Sequence, residues 1–311
     1  MKSETVLTTA PSPESLGIPS RAILNFLQRI DTERINMHGF LLVRCNSIAA
    51  EGYWAPWTAD SKHRMYSISK SFVTLDDRVV DYFSDKLPQK LHPWIAASTV
   101  RDLLMMATAH SRTSYTRDDP DWVWTFFNRP PSHPPGTIFS YDTAATVVLT
   151  ATVERLAGMP FLDYMRPRFL DRIGFSSDAW CVRTPEGGSW GGSGVICTLR
   201  DLAKVALTCM NGGLWGDERV LPEDYVRAAT AKQIDNALRG NHGYGYQIWR
   251  DKENGFSFRG MGSQYAICFP DQKFLFTCIS DTQGAPSGSA IPDVMREELY
   301  PHLSDTPLPE D

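Results

Sequence analysis

Ser67 and Lys70, in the stretch "MYSISKSF", are the residues of this sequence best suited to nucleophilic chemistry. If the stretch is helical, their spacing of three places both side chains on one face. A lysine amine whose pKa is lowered by burial then accepts the serine hydroxyl proton, which prepares the oxygen to attack a carbonyl. Such a pair arises by chance about once in a chain of this length, so a helix-capping serine beside a solvated lysine remains the alternative.

The composition argues against several other kinds of function. The 311 residues are 42% hydrophobic and 22% charged, which is typical of a globular protein with one large core or two modest ones. The net charge of −5 and the scattered lysines and arginines argue against binding to nucleic acid. Apolar runs are too short for a signal peptide or a membrane span. We therefore expect a cytoplasmic protein acting on a small molecule, unless a leader was removed; the oligomeric state stays open.

The cysteines and histidines form no metal-binding pattern. The cysteines lie far apart in mostly apolar surroundings, which predicts buried free thiols, and the histidines show no H-x-H or H-E-x-x-H spacing. We therefore expect neither a metal nor a cofactor. The cysteines are Cys45, Cys181, Cys197, Cys209, Cys268 and Cys278.

The elements that must position the Ser–Lys pair begin with a helix and two strands. "RAILNFLQRI" follows Pro19 and Ser20 and repeats its apolar residues at helical spacing, which predicts an opening helix. "HGFLLVRCNSIAAEGYW" has the pattern of two strands joined by a turn at Asn46 and Ser47. A β-hairpin next to a helix is expected here.

From about residue 61 to residue 233 the sequence becomes mainly helical. "TVRDLLMMATAH" carries Thr99 and Asp102 at capping positions before an apolar face, and "TAATVVLTATVERLAG" ends at Gly158, a suitable C-cap. The proline-rich "RPPSHPPG" cannot continue a helix and is predicted to be a loop over or beside a cleft. The aromatic residues of "DWVWTFF" and Trp190 are expected in the core or in a cleft wall.

The C-terminal part returns to strands. "YGYQIWR", "GFSFRG", "QYAICFP" and "FLFTCISD" are short β-rich runs separated by turn residues, and "IPDVMREELY" predicts a final helix. This order predicts an α+β protein in which both ends of the chain build the sheet. We place the sheet domain at residues 13–60 and 236–303, an inserted helical domain at 61–235, and flexible tails at 1–12 and 304–311.

Two later stretches complete a set of three motifs. "GTIFSYDTAATVVL" contains Y-D-T at Tyr141 to Thr143, and "FSFRGMGSQYAICFP" contains F-R-G at Phe258 to Gly260. With S-x-x-K, they resemble the motifs of the serine β-lactamase and penicillin-binding-protein superfamily, in its class C β-lactamase, D-aminopeptidase and family VIII esterase branch. The resemblance runs from about Pro13 to Gln283. It implies a β-lactamase/transpeptidase-like α+β fold, with an antiparallel sheet flanked by N- and C-terminal helices and a helical domain inserted.

The resemblance also implies roles for individual residues. Ser67 would be the acylated nucleophile, and Lys70 would take or relay its proton. Tyr141 would share the base role and return a proton to the leaving group. The backbone N–H of Ser67 and one from Ser263 or Gln264 would form the oxyanion hole.

The substrate-binding positions depart from the family pattern. Thr143 stands where the family has an amide side chain, and Phe258 stands where it has lysine or histidine, with Arg259 as the nearest cation. The remaining substrate-binding positions implied by the resemblance are Gly260, Gly262, Ser263 and Gln264. We therefore expect esters to be cleaved faster than β-lactams. Tyr141 as a core tyrosine and Arg259 as a surface strand residue remain the alternatives.

The segment after Lys70 is unusually short for this family. "LDDRVVDYF" begins at Leu75, so only Ser71 to Thr74 separate it from Lys70, and the nucleophile helix lacks about 14 residues, roughly four turns. The sequence therefore predicts a short helical turn with a cavity or apolar groove behind it. Two functions follow as alternatives: a serine hydrolase acting through an acyl-enzyme on a small ester, amide or D-amino-acid peptide, weakly active, or a catalytically impaired, penicillin-binding-like ligand binder.

Overall fold

The computed structural model describes residues 7–67, 77–236, 242–282 and 290–309. Its α-helices are α1 (Ser20–Thr32), α2 (Pro93–Ala97), α3 (Val100–Leu104), α4 (Trp122–Asn128), α5 (Thr143–Ala157), α6 (Phe161–Met165), α7 (Leu199–Met210), α8 (Glu223–Thr230) and α9 (Ala290–Glu298). Its strands are β1 (Thr8–Thr9), β2 (Met37–Arg44), β3 (Ser47–Tyr53), β4 (His63–Arg64), β5 (Trp180–Cys181), β6 (Val195–Cys197), β7 (Leu214–Trp215), β8 (Glu218–Arg219), β9 (Trp249–Arg250), β10 (Phe256–Gly260), β11 (Gln264–Phe269) and β12 (Phe274–Ser280). The protein is α+β, as the sequence predicts.

The chain folds into two compact units. Unit 1 consists of residues 1–63, 197–221 and 253–311, and unit 2 of residues 64–196 and 222–252. Unit 1 contains most of the sheet, and unit 2 contains most of the helices. The division differs from the predicted bounds because residues 197–221, which the sequence places in the helical domain, pack with the sheet of unit 1.

The sheet of unit 1 has the strand order β1-β3-β2-β12-β11-β10. Apart from the parallel pairing of β1 with β3, its neighbouring strands are antiparallel. Helices α1 and α9 pack together on one apolar core, which includes Phe26, Phe276 and Met295. Helix α7 packs against β11 and β12. Strands β2, β11 and β12 are buried along their whole length, as expected for strands covered by helices.

The opening helix and hairpin confirm the sequence prediction with one shift. Helix α1 spans the predicted segment, and β2 and β3 form the hairpin, but the turn consists of Cys45 and Asn46. Their φ angles of 49° and 66° are those of a two-residue hairpin turn in which asparagine is favoured. Cys45 is therefore exposed at the tip of a turn, which corrects the expectation that all six thiols are buried.

The described parts of both predicted tails make long-range contacts. Thr8 and Thr9 pair with β3, and the Leu308 N–H donates to the Glu14 carbonyl over 2.9 Å. The buried Arg44 guanidinium donates to the carbonyls of Leu16, Gly17 and Ser304. A buried guanidinium requires several acceptors, and here the C-terminal segment supplies one of them. Long-range contacts, which local sequence does not encode, hold these ends.

Helix α5 lies at the centre of unit 2, where it packs against α3, α4 and α6. Its C-cap at Gly158 confirms the sequence prediction, with a φ of 65°. The capping box of α3 is also confirmed, but the helix ends at Leu104, because Met106 adopts a φ of 57° that helical residues cannot have. The region predicted to be mainly helical also contains the short strands β4 to β8.

The segment that follows the predicted nucleophile lies partly outside the described residues. Lys70 and the predicted shortened helix fall within 68–76, so the prediction of a missing helix body is untested. Within the downstream "LDDRVVDYF" stretch, residues Val79–Tyr82 form a 3-10 helix. Within the described ranges, no single helix is long and apolar enough to cross a membrane, and one pair, Thr143–Ala157 with Phe161–Ile173, meets the criteria only across a 67° bend.

Candidate active site

Ser67 follows a short strand whose end is fixed inside unit 2. The Met65 N–H donates to the Val195 carbonyl over 2.8 Å, and Tyr66 and Ser67 then begin a 3-10 turn. Ser67 is half-buried. The serine therefore stands where an extended segment changes into a helical turn.

Tyr66 has a backbone conformation that is unfavourable for its residue type. Its φ is 46°, in the left-handed region, where a residue with a Cβ costs about 1–2 kcal/mol. Backbone outliers of this kind concentrate at functional sites, and a strained turn in front of a serine is one way in which hydrolases expose the nucleophile. This outlier directly precedes Ser67, the residue selected from the sequence on chemical grounds.

Arg64 clamps the strained residue to a neighbouring loop. Its Nε donates to the Ser193 carbonyl over 2.8 Å, and its Nη2 lies 3.3 Å from Ser193 Oγ. The guanidinium also lies 4.8 Å from the ring centre of Tyr66 and 4.4 Å from that of Trp190. Cation–π contacts at these distances contribute about 0.5–2 kcal/mol, similar to the cost of the strained backbone. Arg64 is thus placed to hold Tyr66 and, through it, Ser67.

The loop that receives Arg64 packs directly on helix α5. A Cβ on Gly191 would lie 1.9 Å from Thr150 Oγ1, and a Cβ on Gly192 would lie 2.7 Å from Thr143 Cγ2. Only glycine permits this approach. The "WGGSG" stretch therefore connects the Arg64 clamp with the helix that begins at the second motif.

Tyr141 lies just before helix α5, against an aromatic wall. Its ring stacks on Trp249 with centroids 5.3 Å apart and meets Tyr244 edge-on at 6.3 Å. Tyr141 is half-buried, whereas Tyr244 is fully buried. A rigid phenol at a helix start is suited to proton transfer, because it is held in place by packing on both sides.

Asp142 fixes the backbone at the start of the same helix. Its Oδ1 accepts from the Ala144 N–H over 2.8 Å, and its Oδ2 accepts from Thr108 Oγ1 over 3.2 Å. The side chain is completely buried, so we assign it an N-capping role. An aspartate before an apolar helical run is a recognisable cap signal, although the family comparison by motif letters treats this position only as a spacer.

Thr143 is the first residue of α5. Its N–H donates to Thr113 Oγ1 over 3.1 Å, and its methyl group faces Gly192. Tyr141, Thr143 and Ser67 thus all belong to unit 2. The substrate-binding role of Thr143 remains a prediction.

The third-motif residues lie in unit 1, on the β10–β11 hairpin. Arg259 Nε donates to Ser257 Oγ over 2.8 Å. Gly260 pairs with Gln264 at the end of the ladder, and Gly262 and Ser263 in the turn have φ angles of 78° and 65°. The roles predicted for these residues in substrate binding remain predictions.

Gln264 has a structural task that its sequence position does not reveal. Its Nε2 donates to the Ser280 carbonyl over 2.5 Å, and its Oε1 accepts from the Ser280 N–H over 3.3 Å. The side chain is buried and thus ties the hairpin turn to the end of β12. Any substrate contact by Gln264 would involve its backbone, because the amide group is already engaged.

Comparison with known proteins decides the family. The sequence profile named Beta-lactamase matches residues 28–299, which is most of the chain. The chain belongs to the Beta-lactamase family. This is the family to which the sequence resemblance pointed, and the α+β fold is the one expected for it.

Three of the proteins to which this chain is similar are named as hydrolases. A 6-aminohexanoate-dimer hydrolase of Paenarthrobacter ureafaciens is 25% identical over 221 residues, 62% of this chain and 56% of the relative, so the match spans little more than half of that protein. A putative 6-aminohexanoate-dimer hydrolase from Bacillus anthracis superposes with a TM-score of 0.76 at 17% identity, covering 91% of this chain and 83% of that one. EstCE1, a hydrolase with promiscuous acyltransferase activity, gives 0.73 at 16%, covering 93% and 99%.

Several features of the candidate site are not predicted by the sequence analysis. The Arg64–Ser193 contact and the Trp190 face are long-range, and no local pattern signals them. The strained φ of Tyr66 is likewise invisible in the letters "MYS". Among the described residues, no group of three His, Cys, Asp or Glu side chains is arranged to hold a metal ion.

Proposed function

We propose that this protein is a serine hydrolase that forms an acyl-enzyme on Ser67 and acts on a small ester or linear amide. The observation that supports the proposal most is the strained Tyr66 directly before Ser67, at the change from strand to helical turn. Family membership supports a hydrolase in general terms, and the motif roles supply the finer assignment.

In the proposed reaction, Ser67 Oγ attacks the carbonyl carbon while Lys70 and Tyr141 together accept the hydroxyl proton. The bond to the leaving group then breaks, and Tyr141 returns a proton to the departing oxygen or nitrogen. Water attacks the acyl-serine, the acid product leaves, and Ser67 regains its proton. The proton that leaves with the departing group in acylation is replaced in deacylation by one that the attacking water gives to Lys70 and Tyr141, which pass it to Ser67 Oγ.

The substrate class is proposed from two separate arguments. Thr143 and Phe258 replace polar groups with which the family recognises amides and carboxylated β-lactams, which favours simple esters. The name of the curated relative adds linear amides to the candidates. We therefore expect p-nitrophenyl esters of short acids to be cleaved faster than nitrocefin.

Labelling by a fluorophosphonate tests the nucleophile directly. Intact mass should show one adduct, and peptide mapping should place it on the peptide that contains Ser67. Ser67→Ala should abolish the adduct and lower esterase turnover by about 10³-fold or more. Ser177→Ala, an exposed serine in the same unit, is the matched control and should behave like the parent protein.

Three outcomes decide the proposal. An adduct that persists in Ser67→Ala, or maps to another serine, contradicts the assignment of the nucleophile. Labelling without turnover favours the penicillin-binding-like ligand binder instead. Nitrocefin hydrolysis that is faster than ester hydrolysis contradicts the substrate preference while leaving the nucleophile assigned.

A further inference from the structure

Unit 2 contains a pocket that the proposed chemistry does not use. Its volume is about 490 Å³, and it is lined by residues 110–116 together with Arg129, Pro130 and Ser132 of the proline-rich loop. This volume lies within the range of small-molecule sites, about 300–1,000 Å³. The sequence predicts that the proline-rich segment lies beside a cleft, and this pocket fits that description.

The lining has the chemistry of an anion site. Two arginines, Arg112 and Arg129, face the pocket with six hydroxyl-bearing residues, and none of the described lining residues is acidic. Guanidinium and hydroxyl groups are the donors that carboxylate oxygens accept from. Because the whole chain has a net charge of −5, its overall composition does not account for a pocket lining that has arginines and no acidic residue.

Arg112 is the member of this lining whose charge is not neutralised. Within the part of the chain that the structure describes, it has no hydrogen bond and no acidic partner, and it is exposed to solvent. Arg129 already has Asp119 at 3.5 Å. Arg155 and Arg200 show the usual arrangement, with carboxylates at 2.6 Å and 2.5 Å. Arg112 is therefore available to a ligand.

Ser114 supports the same interpretation from the buried side of the pocket. It is 9% exposed, and its Oγ has no hydrogen-bond partner in the described structure. Buried hydroxyls are nearly always satisfied, so an unsatisfied one beside a cationic lining indicates a group that a ligand or its water completes.

Two contacts connect the pocket with the proposed catalytic elements. Thr113, in the pocket wall, accepts the N–H of Thr143, the last residue of the second motif. Tyr115, also in the wall, accepts the Trp190 Nε1–H over 3.1 Å, and Trp190 is the residue on which Arg64 stacks. The pocket therefore adjoins both the second motif and the clamp in front of Ser67.

We propose that this pocket binds the carboxylate of a linear substrate, with Arg112 as the principal partner. A planar guanidinium matches a carboxylate with two parallel hydrogen bonds, a match that neutral chain ends lack. The inference rests on the proposed function for the reaction it serves, but the binding of a carboxylate does not itself require turnover. The substrate class is an ester or amide with a free carboxylate on a flexible chain.

The test is calorimetric titration with 6-acetamidohexanoate and with N-hexylacetamide, its neutral counterpart. The full-length protein should bind the carboxylate at least about tenfold more tightly, as one bidentate pair implies. Arg112→Gln should erase this preference. Arg117→Gln removes the same charge from a neighbouring exposed position outside the pocket lining and should retain it. Inorganic phosphate, added as a competitor, should displace the carboxylate poorly.

The outcomes separate this inference from the hydrolase proposal. Equal binding of the two amides, an unchanged preference in Arg112→Gln, or equal competition by phosphate overturns the carboxylate site. Fluorophosphonate labelling of Ser67, measured in the same preparations, reports on the nucleophile alone. If the protein prefers the carboxylate but Ser67 is not labelled, the pocket assignment stands and the hydrolase proposal fails. If Ser67 is labelled but the carboxylate is not preferred, the hydrolase proposal stands and the pocket assignment fails. Melting temperatures of both variants show whether they remain folded.

Discussion

Tyr66 and Ser263 share a backbone conformation that neither residue type favours. Their φ angles are 46° and 65°, and each residue lies in or beside a motif of the Beta-lactamase family. At Ser263 the conformation follows from local geometry, because a three-residue turn between paired strands requires a left-handed residue. Among the residues that the structure describes, Tyr66 lies in no hairpin turn that would require this conformation. The β10–β11 turn therefore accounts for the left-handed conformation of Ser263, whereas no strand pairing among the described residues accounts for that of Tyr66.

The contacts that hold the two residues differ in the same way. Ser263 Oγ lies 2.5 Å from Thr282 Oγ1, and the Gln264 amide ties the turn to the adjacent strand. Tyr66 depends on Arg64, which is itself anchored on Ser193, far along the chain. A strained residue that distant contacts hold against its preference is the stronger evidence for function. Our functional interpretation therefore depends on Tyr66 and not on the hairpin.

Removing the clamp should produce the largest change. In Arg64→Ala, Tyr66 loses a cation–π contact, Ser67 is held less rigidly, and the labelling rate of the folded protein should fall about 10–100-fold. Arg64→Lys retains a cation over the ring but loses the two-pronged contact with Ser193, so it should restore part of the rate. The measurement is the second-order rate of fluorophosphonate labelling, with the melting temperature recorded alongside.

Arg183→Ala provides the control for the clamp variant. Arg183 is exposed in the same unit, and its guanidinium donates to the Gly187 carbonyl within its own turn, so its loss should leave labelling unchanged. A purely structural role for Arg64 would lower the melting temperature and leave the labelling rate of the folded protein intact. That result would remove the distinction between Tyr66 and Ser263.

A substitution in the β10–β11 hairpin should change the stability of the protein and not the rate at which Ser67 is labelled. Gln264→Ala leaves the N–H and the carbonyl of Ser280 without their side-chain partner in a buried position, which should lower the free energy of unfolding by roughly 2–3 kcal/mol. The measurement is chemical denaturation at constant m-value. Gln28→Ala, on the exposed face of α1, should change stability by less than about 0.5 kcal/mol. Equal effects of the two substitutions would show that the Gln264 amide does not secure the turn.

The sequence predicts the sheet unit well because its elements carry local signals. The hairpin and the buried strands follow from periodicity and turn residues, and each appears within a few positions of its predicted place. In unit 2, the C-cap at Gly158 is predicted by a local signal of the same kind. The short α3 was less predictable, because a left-handed Met106 ends it and methionine gives no warning of that. The assignment of residues 197–221 failed for a similar reason, since the pairing of α7 with distant strands is a tertiary property.

The candidate site is likewise only partly predictable from the sequence. Ser67 is predicted from residue type and its spacing from Lys70, whereas Tyr141 is predicted only from the resemblance of its motif to that of the family. Arg64, Ser193 and the pocket residue Arg112 were not found, because their importance lies in what they contact or fail to contact. Lys70 lies outside the described residues, so its role is supported by spacing and family membership only.

A buried histidine pair predicts a small dependence of protein stability on pH. His38 Nδ1 lies 3.2 Å from His63 Nε2, and Trp57 stacks on His38 with ring centroids 4.5 Å apart. Burial lowers the pKa of both imidazoles, and for His63 the neighbouring His38 lowers it further, whereas Asp281 opposes the shift at His38. His63 precedes the strained Tyr66 by three residues.

The sign of the effect follows from these lowered pKa values. As the pH falls below about 6.5, the unfolded chain binds protons at these histidines before the folded protein does, so the free energy of unfolding decreases. His110 in unit 2, whose pKa is also lowered by burial, adds a loss of the same sign. We expect the melting temperature to fall between pH 7 and pH 5, a window above the ordinary range of carboxylates, and His63→Gln to make that slope shallower. His302→Gln, at an exposed position, should leave the slope unchanged. A slope that His63→Gln does not alter would mean that His63 binds protons equally in the folded and unfolded states, and that other titrating groups cause the loss of stability in acid.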